Sequence, residues 1–155
     1  MRFIYFFFLI FFTAFIQVSF PLSVAGITLD IVLLAIIYGV LYLPIEQSLL
    51  LAFIGGVILD AFSPLSFGSY ALTRVLLAYS FGVYFKLMLI KNPLMAGVGV
   101  AVGCFVESLL LWALMNSPTD FFIYLFTNAL PQGLFMGFVS IILFRLIMVR
   151  IELTK

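Results

Sequence analysis

Three ionisable residues, Asp60, Arg74 and Glu107, lie beside or inside long apolar runs and are the first candidates for chemistry. An unpaired charge is costly in apolar surroundings, so such groups pair with one another or face a polar cavity. In one interpretation, Arg74 pairs with Glu107 or Asp60 and holds the helices together. In the other, the three groups line a cavity that binds a polar ligand or the loop of a partner. Mutual pairing is the cheaper state and is our prediction.

The composition indicates that lipid, and not water, surrounds most of this chain. Of its 155 residues, 66% are hydrophobic and only 8% are charged, whereas about 25% are charged in soluble domains. So little polar surface cannot cover the apolar surface of a soluble protein of this size. We therefore expect an all-α integral membrane protein with a single transmembrane domain over residues 1–155.

Apolar runs separated by turn residues predict a compact bundle of six transmembrane helices. A cleaved signal peptide is the alternative interpretation of the first run. A count of five spans, with the second and third segments forming a re-entrant hairpin, is the alternative topology. The predicted helices cover residues 3–20, 27–43, 45–59, 69–90, 94–115 and 121–149.

The distribution of charges predicts the orientation of this bundle. If both termini are cytoplasmic, every basic residue except Arg74 lies on the inner side. Each outer loop then carries an aspartate, namely Asp30, Asp60 or Asp120. This is the positive-inside pattern, and five spans would place the basic C-terminus outside.

The stretch GGVILDAFSPLSFGSYALTR, residues 55–74, predicts a helix-loop-helix hinge at the outer face. We expect Asp60 to end the third helix and a turn to run as far as Gly68. Ser69 is the predicted cap of the fourth helix. Arg74 lies roughly 7 Å into that helix by helical rise, within reach of a carboxylate.

Small residues predict where helices approach closely in a membrane. The third helix has a glycine pair, and the fifth and sixth helices each have a GxxxG pattern. Packing inside the bundle is the main interpretation, with contact to a partner helix as the alternative. The Phe-rich first helix fits a peripheral position or a docking surface. The packing glycines are Gly55, Gly56, Gly99, Gly103, Gly133 and Gly137.

The sequence has no recognisable arrangement for catalysis, metal binding or cofactor binding. It contains no His, and its single Cys, Cys104, lies in an apolar run. A zinc site, an intrachain disulfide and a His-based triad are therefore excluded. There is no phosphate-binding loop, and a net charge of +1 provides no basic surface for nucleic acid. We expect a non-enzyme without a cofactor or metal.

Two blocks of the chain, residues 29–79 and 130–147, resemble the family of the rod shape-determining protein MreD. The first block has an Asp at the start of the second helix, Glu46 after a short break and a Gly-rich helix that ends in Asp60. The second block has Pro131 in the last helix and basic residues at its end. Leu29 stands where the family often has Pro, and Gln132 or Gly133 where it often has Asn. The first block also contains Pro64-Leu65 and Gly68-x-Tyr70-Ala71-Leu72.

The resemblance implies a non-catalytic scaffold of the bacterial cell-elongation machinery, located as a multi-pass protein in the inner membrane. The implied partners are the single-span periplasmic protein MreC, the MreB filament, and the glycosyltransferase and transpeptidase of lateral peptidoglycan synthesis. Self-association of the chain stays open. The structural or partner-binding candidates are Asp30, Asp60, Gly68, Arg74, Glu107 and Pro131.

The family is also distantly similar to the substrate-binding subunits of energy-coupling factor vitamin transporters, which gives the alternative function. Those subunits dock through an Ala-x-x-x-Ala face on the first helix and close their site with a substantial outer loop. Here the first helix is packed with Phe and has only Ala14, and residues 21–28 form a short, mostly apolar connection. Both differences favour the scaffold interpretation.

Overall fold

The computed structural model describes residues 2–20, 23–24, 27–63, 68–86, 92–114 and 120–152. Within these ranges the chain forms six helices and one pair of two-residue antiparallel strands, β1 (Ser23–Val24) and β2 (Ile27–Thr28). The helices are α1 (Arg2–Ser19), α2 (Ile31–Tyr42), α3 (Ile45–Phe62), α4 (Ser69–Ser80, followed by the π-helical turn Phe81–Phe85), α5 (Pro93–Leu114) and α6 (Phe121–Tyr124, the π-helical turn Leu125–Ala129, and Leu130–Glu152).

Three segments are long and apolar enough to cross a membrane, namely Ile45–Phe62, Leu94–Leu114 and Phe121–Arg145. Two shorter apolar helices cover Phe3–Ser19 and Ile31–Tyr42. The prediction of a helical protein is therefore confirmed for the described residues, three of whose helical segments could span a membrane. The prediction that all six helices span the bilayer stays a prediction.

Two helix boundaries differ from the sequence prediction. The second helix begins at Ile31 and not at residue 27, because the Asp30 side chain caps it by accepting a hydrogen bond from Leu33 N at 2.8 Å. Residues 27–28 pair instead with residues 23–24. The third helix continues to Phe62, beyond the predicted end at residue 59.

Some predicted features lie outside the described residues. These include the helix break at Pro21, the Pro64-Leu65 motif, residues 87–90 of the predicted fourth helix and the turn at residues 116–119. Lys91 and Lys155, which contribute to the predicted orientation, lie outside them as well.

The first helix has one buried face and one exposed face. Phe6, Ile10 and Ala14, spaced four residues apart, are buried where α1 packs against α2 and α3. This spacing places their side chains on one stripe of the helix. Phe8 and Phe12 lie on the other side and are mostly exposed. The predicted peripheral position of this helix therefore applies to one of its faces.

Glycines permit the closest helix contacts. A Cβ atom at Gly56 of α3 would lie 2.7 Å from the backbone N of Ala71 in α4. At Gly133 and Gly137 of α6 it would lie 2.9 Å from Ala101 O and 2.8 Å from Ala101 Cβ in α5. The two GxxxG glycines of α6 thus pack inside the bundle.

The glycines of α5 and the other glycine of α3 face different neighbours. Gly97 approaches α6, since a Cβ there would lie 2.9 Å from Gly137 O, whereas the GxxxG residue Gly99 is half-buried. A Cβ at Gly103 would lie 2.9 Å from the ring of Phe81. At Gly55 it would lie 3.0 Å from the Ile10 side chain of α1. Gly97 and Gly103 of α5 therefore face different neighbours, and the packing contact predicted for Gly99 stays a prediction.

Candidate functional site: a buried ion-pair cluster beside a polar cavity

Arg74 is fully buried and forms two ion pairs. Its Nη2 donates to Asp30 Oδ2 at 2.5 Å, and its Nε donates to Glu107 Oε1 at 3.3 Å. Arg74 lies in α4, Asp30 directly precedes α2, and Glu107 lies in α5. One guanidinium therefore ties three helices together. We call Asp30, Arg74 and Glu107 the ion-pair cluster.

The start of α2 holds Asp30 in this position. Its Oδ1 accepts from Leu33 N, while its Oδ2 accepts from Arg74. Gln17 of α1 satisfies a second amide of the same helical turn, since its Oε1 accepts from Val32 N at 3.1 Å. A carboxylate at a helix N-terminus is also favoured by the helix dipole. Asp30 thus stabilises the start of one helix and the cation of another.

Asp60 has a different role from the one predicted. It lies inside the last turn of α3, and its two carboxylate oxygens accept from Tyr70 N at 2.9 Å and Ala71 N at 3.0 Å. Asp60 therefore satisfies the first-turn amides of α4 and is not among the hydrogen-bond partners of Arg74. The cap of α4 is therefore supplied by Asp60 of α3, and not by Ser69 as predicted.

Gly68 makes this joint possible. It occupies the N-cap position of α4 with φ +97°, a left-handed conformation that glycine adopts without strain. Ser69 is the first residue of the helix and not its cap. The close contact at Gly56 brings the two helices near enough for the Asp60 carboxylate to reach the amides of α4. The predicted hinge at this position is thus a tightly bonded joint.

A further polar contact lies at the other end of α4. Lys86 Nζ donates to the backbone carbonyl of Leu43 at 2.7 Å. Leu43 is the C-cap of α2, where a cation is favoured by the helix dipole. Because Asp30 precedes the start of α2, this helix is fixed to the α4 region at both ends.

A cavity of about 270 Å³ lies beside the ion-pair cluster. The residues that line it are mainly polar and come from α1, α4, α5, α6 and the residue preceding α2. From the first half of the chain they are Gln17, Asp30 and Tyr70. From the second half they are Glu107, Ser108, Leu111, Tyr124, Asn128 and Gln132.

The α5–α6 wall of the cavity has its own hydrogen bonds. Ser108 Oγ lies 2.9 Å from Cys104 O and 3.3 Å from Gln132 Oε1. Asn128 belongs to the π-helical turn Leu125–Ala129, and such turns are frequent at functional sites. Pro131 follows this turn, and its missing N–H cannot support a regular helical hydrogen bond.

Among the described residues, two acidic side chains and no basic one line the cavity. The two acidic residues are Asp30 and Glu107. Arg74 contacts both carboxylates but is not itself among the lining residues. The Arg74 guanidinium carbon lies 5.6 Å from the centre of the Tyr70 ring, within cation–π range. Within the described residues there is no group of three or more His, Cys, Asp or Glu side chains suited to a metal ion.

The sequence interpretation found part of this site. Arg74 pairs with Glu107, as one of the two predicted partners, and also with Asp30, which was not expected as a partner. The contributions of Gln17, Asn128 and Gln132 to the cavity were missed. The available signal was their polarity, since Gln17 interrupts a Phe-rich run and Gln132 stands inside the last apolar helix.

Comparisons of the chain with models of protein families, with curated proteins and with solved structures gave no match.

Proposed function

We propose that this protein is a non-catalytic scaffold of the bacterial cell-elongation machinery in the inner membrane. The proposal starts from the resemblance of residues 29–79 and 130–147 to the MreD family. Its expected partners are a single-span periplasmic protein of the MreC type, the MreB filament and the enzymes of lateral wall synthesis. Its expected contribution to rod shape is to hold these partners together in the membrane.

An apolar groove on the side of the bundle carries this proposal. The groove has a volume of about 310 Å³ and lies between α1, α2 and α6. Tyr5, Leu9 and Thr13 of α1 form one wall, and Ser140 and Phe144 of α6 form part of the other. One further transmembrane helix can pack into such a groove between the helices of an apolar bundle.

Ser140 gives the groove a polar anchor. Its Oγ is buried and has no hydrogen-bond partner within the described part of the chain. An unsatisfied hydroxyl is unfavourable in an apolar interior, and hydroxyls often form hydrogen bonds between packed membrane helices. A partner helix with a small polar residue facing the groove would satisfy this group once it displaces the side chains that cover Ser140 in the isolated chain.

The polar contacts elsewhere support a structural role. Asp60 is used to cap α4, and Asp30 and Glu107 hold Arg74. Lys86 is bonded to the end of α2. These contacts tie α2, α3, α4 and α5 to one another, as a scaffold that fixes the positions of its partners would need.

The same contacts support the proposed orientation. Asp30 lines the polar cavity, Asp60 is bonded to Tyr70 of its lining, and Asp120 precedes the α6 turn near its lining residue Tyr124. Lys86 and Arg145 lie towards the opposite ends of α4 and α6. With the acidic end outward, the positive-inside rule is satisfied and both termini are cytoplasmic.

Site-specific photo-crosslinking in native membranes would test the proposal. A photoreactive residue replaces Tyr5, which lines the groove, and in a control it replaces Phe138 of α6, which does not. The two positions are similarly exposed, 66% and 63%. We expect the Tyr5 position alone to capture a single-span periplasmic protein, and wall synthases to co-purify with it.

Two results would contradict the scaffold function. One is capture of an ATPase together with a membrane coupling subunit, which would identify a transporter subunit of the energy-coupling factor type. The other is equal capture from both positions, which would mean that the groove has no preferred partner.

A further inference from the structure

We propose that the polar cavity beside the ion-pair cluster binds a small organic cation with an ammonium group. The cavity lies at the acidic end of the bundle and is separate from the apolar groove between α1, α2 and α6. The proposal goes beyond the scaffold function and does not depend on it.

The charge balance of the cavity selects a cation. Two carboxylates, Asp30 and Glu107, reach the cavity, and the single guanidinium of Arg74 is bonded to both from behind. No Lys or Arg is among the described lining residues. One of the two carboxylates therefore has no cation of its own, and in apolar surroundings such a group is neutralised by a proton or pairs with a cation. A bound cation would pair with it, whereas an anion would be repelled.

The hydrogen-bonding groups of the wall favour an ammonium group. Carboxylate oxygens are acceptors, and an ammonium group offers three donors that can be shared between two of them. The side-chain oxygen of Gln132 is a further acceptor close to Ser108. The rings of Tyr70 and Tyr124 also line the cavity and provide aromatic faces for a cation.

The size of the cavity limits the ligand to a small one. Its volume of about 270 Å³ lies just below the usual range of about 300–1,000 Å³ for pockets that hold drug-sized molecules. A short amine such as ethanolamine matches this volume, either as a free molecule or as the head group of a lipid.

Binding to the purified full-length chain in detergent tests the proposal. Ethanolamine is the cationic probe, and ethylene glycol, a neutral molecule of nearly the same size, is its control. Thermal unfolding and isothermal titration calorimetry are the readouts. We expect saturable binding and a rise in Tm with ethanolamine, and neither effect with ethylene glycol. Equal responses to both compounds, or no response to ethanolamine, would overturn the proposal.

Variants connect the binding to the cavity. Glu107→Gln removes one carboxylate at constant size and should weaken ethanolamine binding at least about tenfold. Tyr124→Leu removes an aromatic face from a half-exposed position and should weaken it by about threefold. The second variant keeps the test valid if Glu107→Gln fails to fold. Gln47→Leu, at an exposed position of α3 away from the cavity, should bind like the original protein.

Wild-type affinity in both cavity variants, or an equal loss in Gln47→Leu, would place the binding elsewhere and overturn the proposal. Nanodiscs distinguish the two sources of the ammonium group. If phosphatidylethanolamine in the bilayer competes with free ethanolamine, whereas phosphatidylglycerol does not, the cavity takes a lipid head group. If neither lipid competes, it takes a free amine. Both results support an ammonium site and differ only in its source.

Discussion

The Arg74 guanidinium lies 2.5 Å from the Asp30 carboxylate, although 44 positions separate the two residues in the chain. Because Asp30 also caps α2, this contact joins the start of one helix to the middle of another. Arg74 has a second partner in Glu107 of α5. The stability of the bundle should therefore depend on a single buried cation.

Replacing Arg74 by Met should strongly destabilise the protein. The variant leaves Asp30 and Glu107 buried without a cation, and breaking a buried ion pair in this way typically costs about 3–5 kcal/mol. The free energy of unfolding, measured in mixed detergent micelles, should fall by about this amount. Arg145→Met, at an exposed position, is the matched control and should have little effect. Similar stabilities for the two variants would show that the ion pairs contribute little.

Asp60→Asn should loosen the joint between α3 and α4. Both carboxylate oxygens accept from backbone amides of α4, and an Asn side chain has only one oxygen to offer. We expect a loss of about 1–2 kcal/mol of stability, as for other helix caps. Asp120→Asn is the control, because Asp120 precedes α6 without forming a side-chain cap. If the two substitutions have equal effects, the cap is not important for stability.

Gly56→Ala should disturb the same joint through its backbone. A Cβ at this position would lie 2.7 Å from Ala71 N, and backbone atoms cannot move aside as a flexible side chain can. Overpacking of this kind typically costs about 1–3 kcal/mol. Gly39→Ala serves as the control, because a Cβ there would lie 3.6 Å from the Phe6 ring, an ordinary contact. The yield of monodisperse protein on size-exclusion chromatography should fall for Gly56→Ala only.

Ser140→Ala should separate partner binding from stability. The unpartnered hydroxyl contributes nothing favourable to the isolated chain, so the variant should be at least as stable as the original. Recovery of the crosslinked partner from the Tyr5 position should nevertheless fall, because the proposed hydrogen bond between the helices is lost.

Ser80→Ala is the control for this experiment, since Ser80 Oγ is bonded to Leu76 O of its own helix at 2.9 Å. It should leave partner recovery unchanged. A Ser140→Ala variant that is clearly less stable than the original would show that the hydroxyl is used within the bundle. In that case it would not serve as an anchor for a partner.

The helical character of the chain could be predicted from the sequence, because long apolar runs separated by turn residues are typical of membrane helices. That Arg74 pairs with an acid followed from the cost of burying a lone charge. The identity of the acids that pair with Arg74 could not be predicted from the sequence. The predicted start of the second helix at residue 27 placed Asp30 inside that helix, whereas Asp30 is its cap. The ten-residue separation between Asp60 and Tyr70 likewise hid a cap that acts across two helices.

The cavity was the least predictable feature. Its wall includes Asn128 from a π-helical turn, and hydrophobic patterns with a period of 3.6 residues do not reveal such turns. Gln17 and Gln132 are far apart in the chain, and they line the same cavity because α1 and α6 both border it. Single polar residues in apolar helices were the available signal, and they do not specify a common site.

The positions of Arg74's partners also constrain how the chain enters the membrane during synthesis. The Asp60 carboxylate bonds to amides only 10 and 11 residues later, so α3 and α4 can insert together as a hairpin. Glu107, in contrast, is made 33 residues after Arg74. Until α5 arrives, Asp30 is the only carboxylate of the ion-pair cluster already synthesised. We therefore expect the contact with Asp30 to form first and to shield the cation from lipid until α5 is inserted.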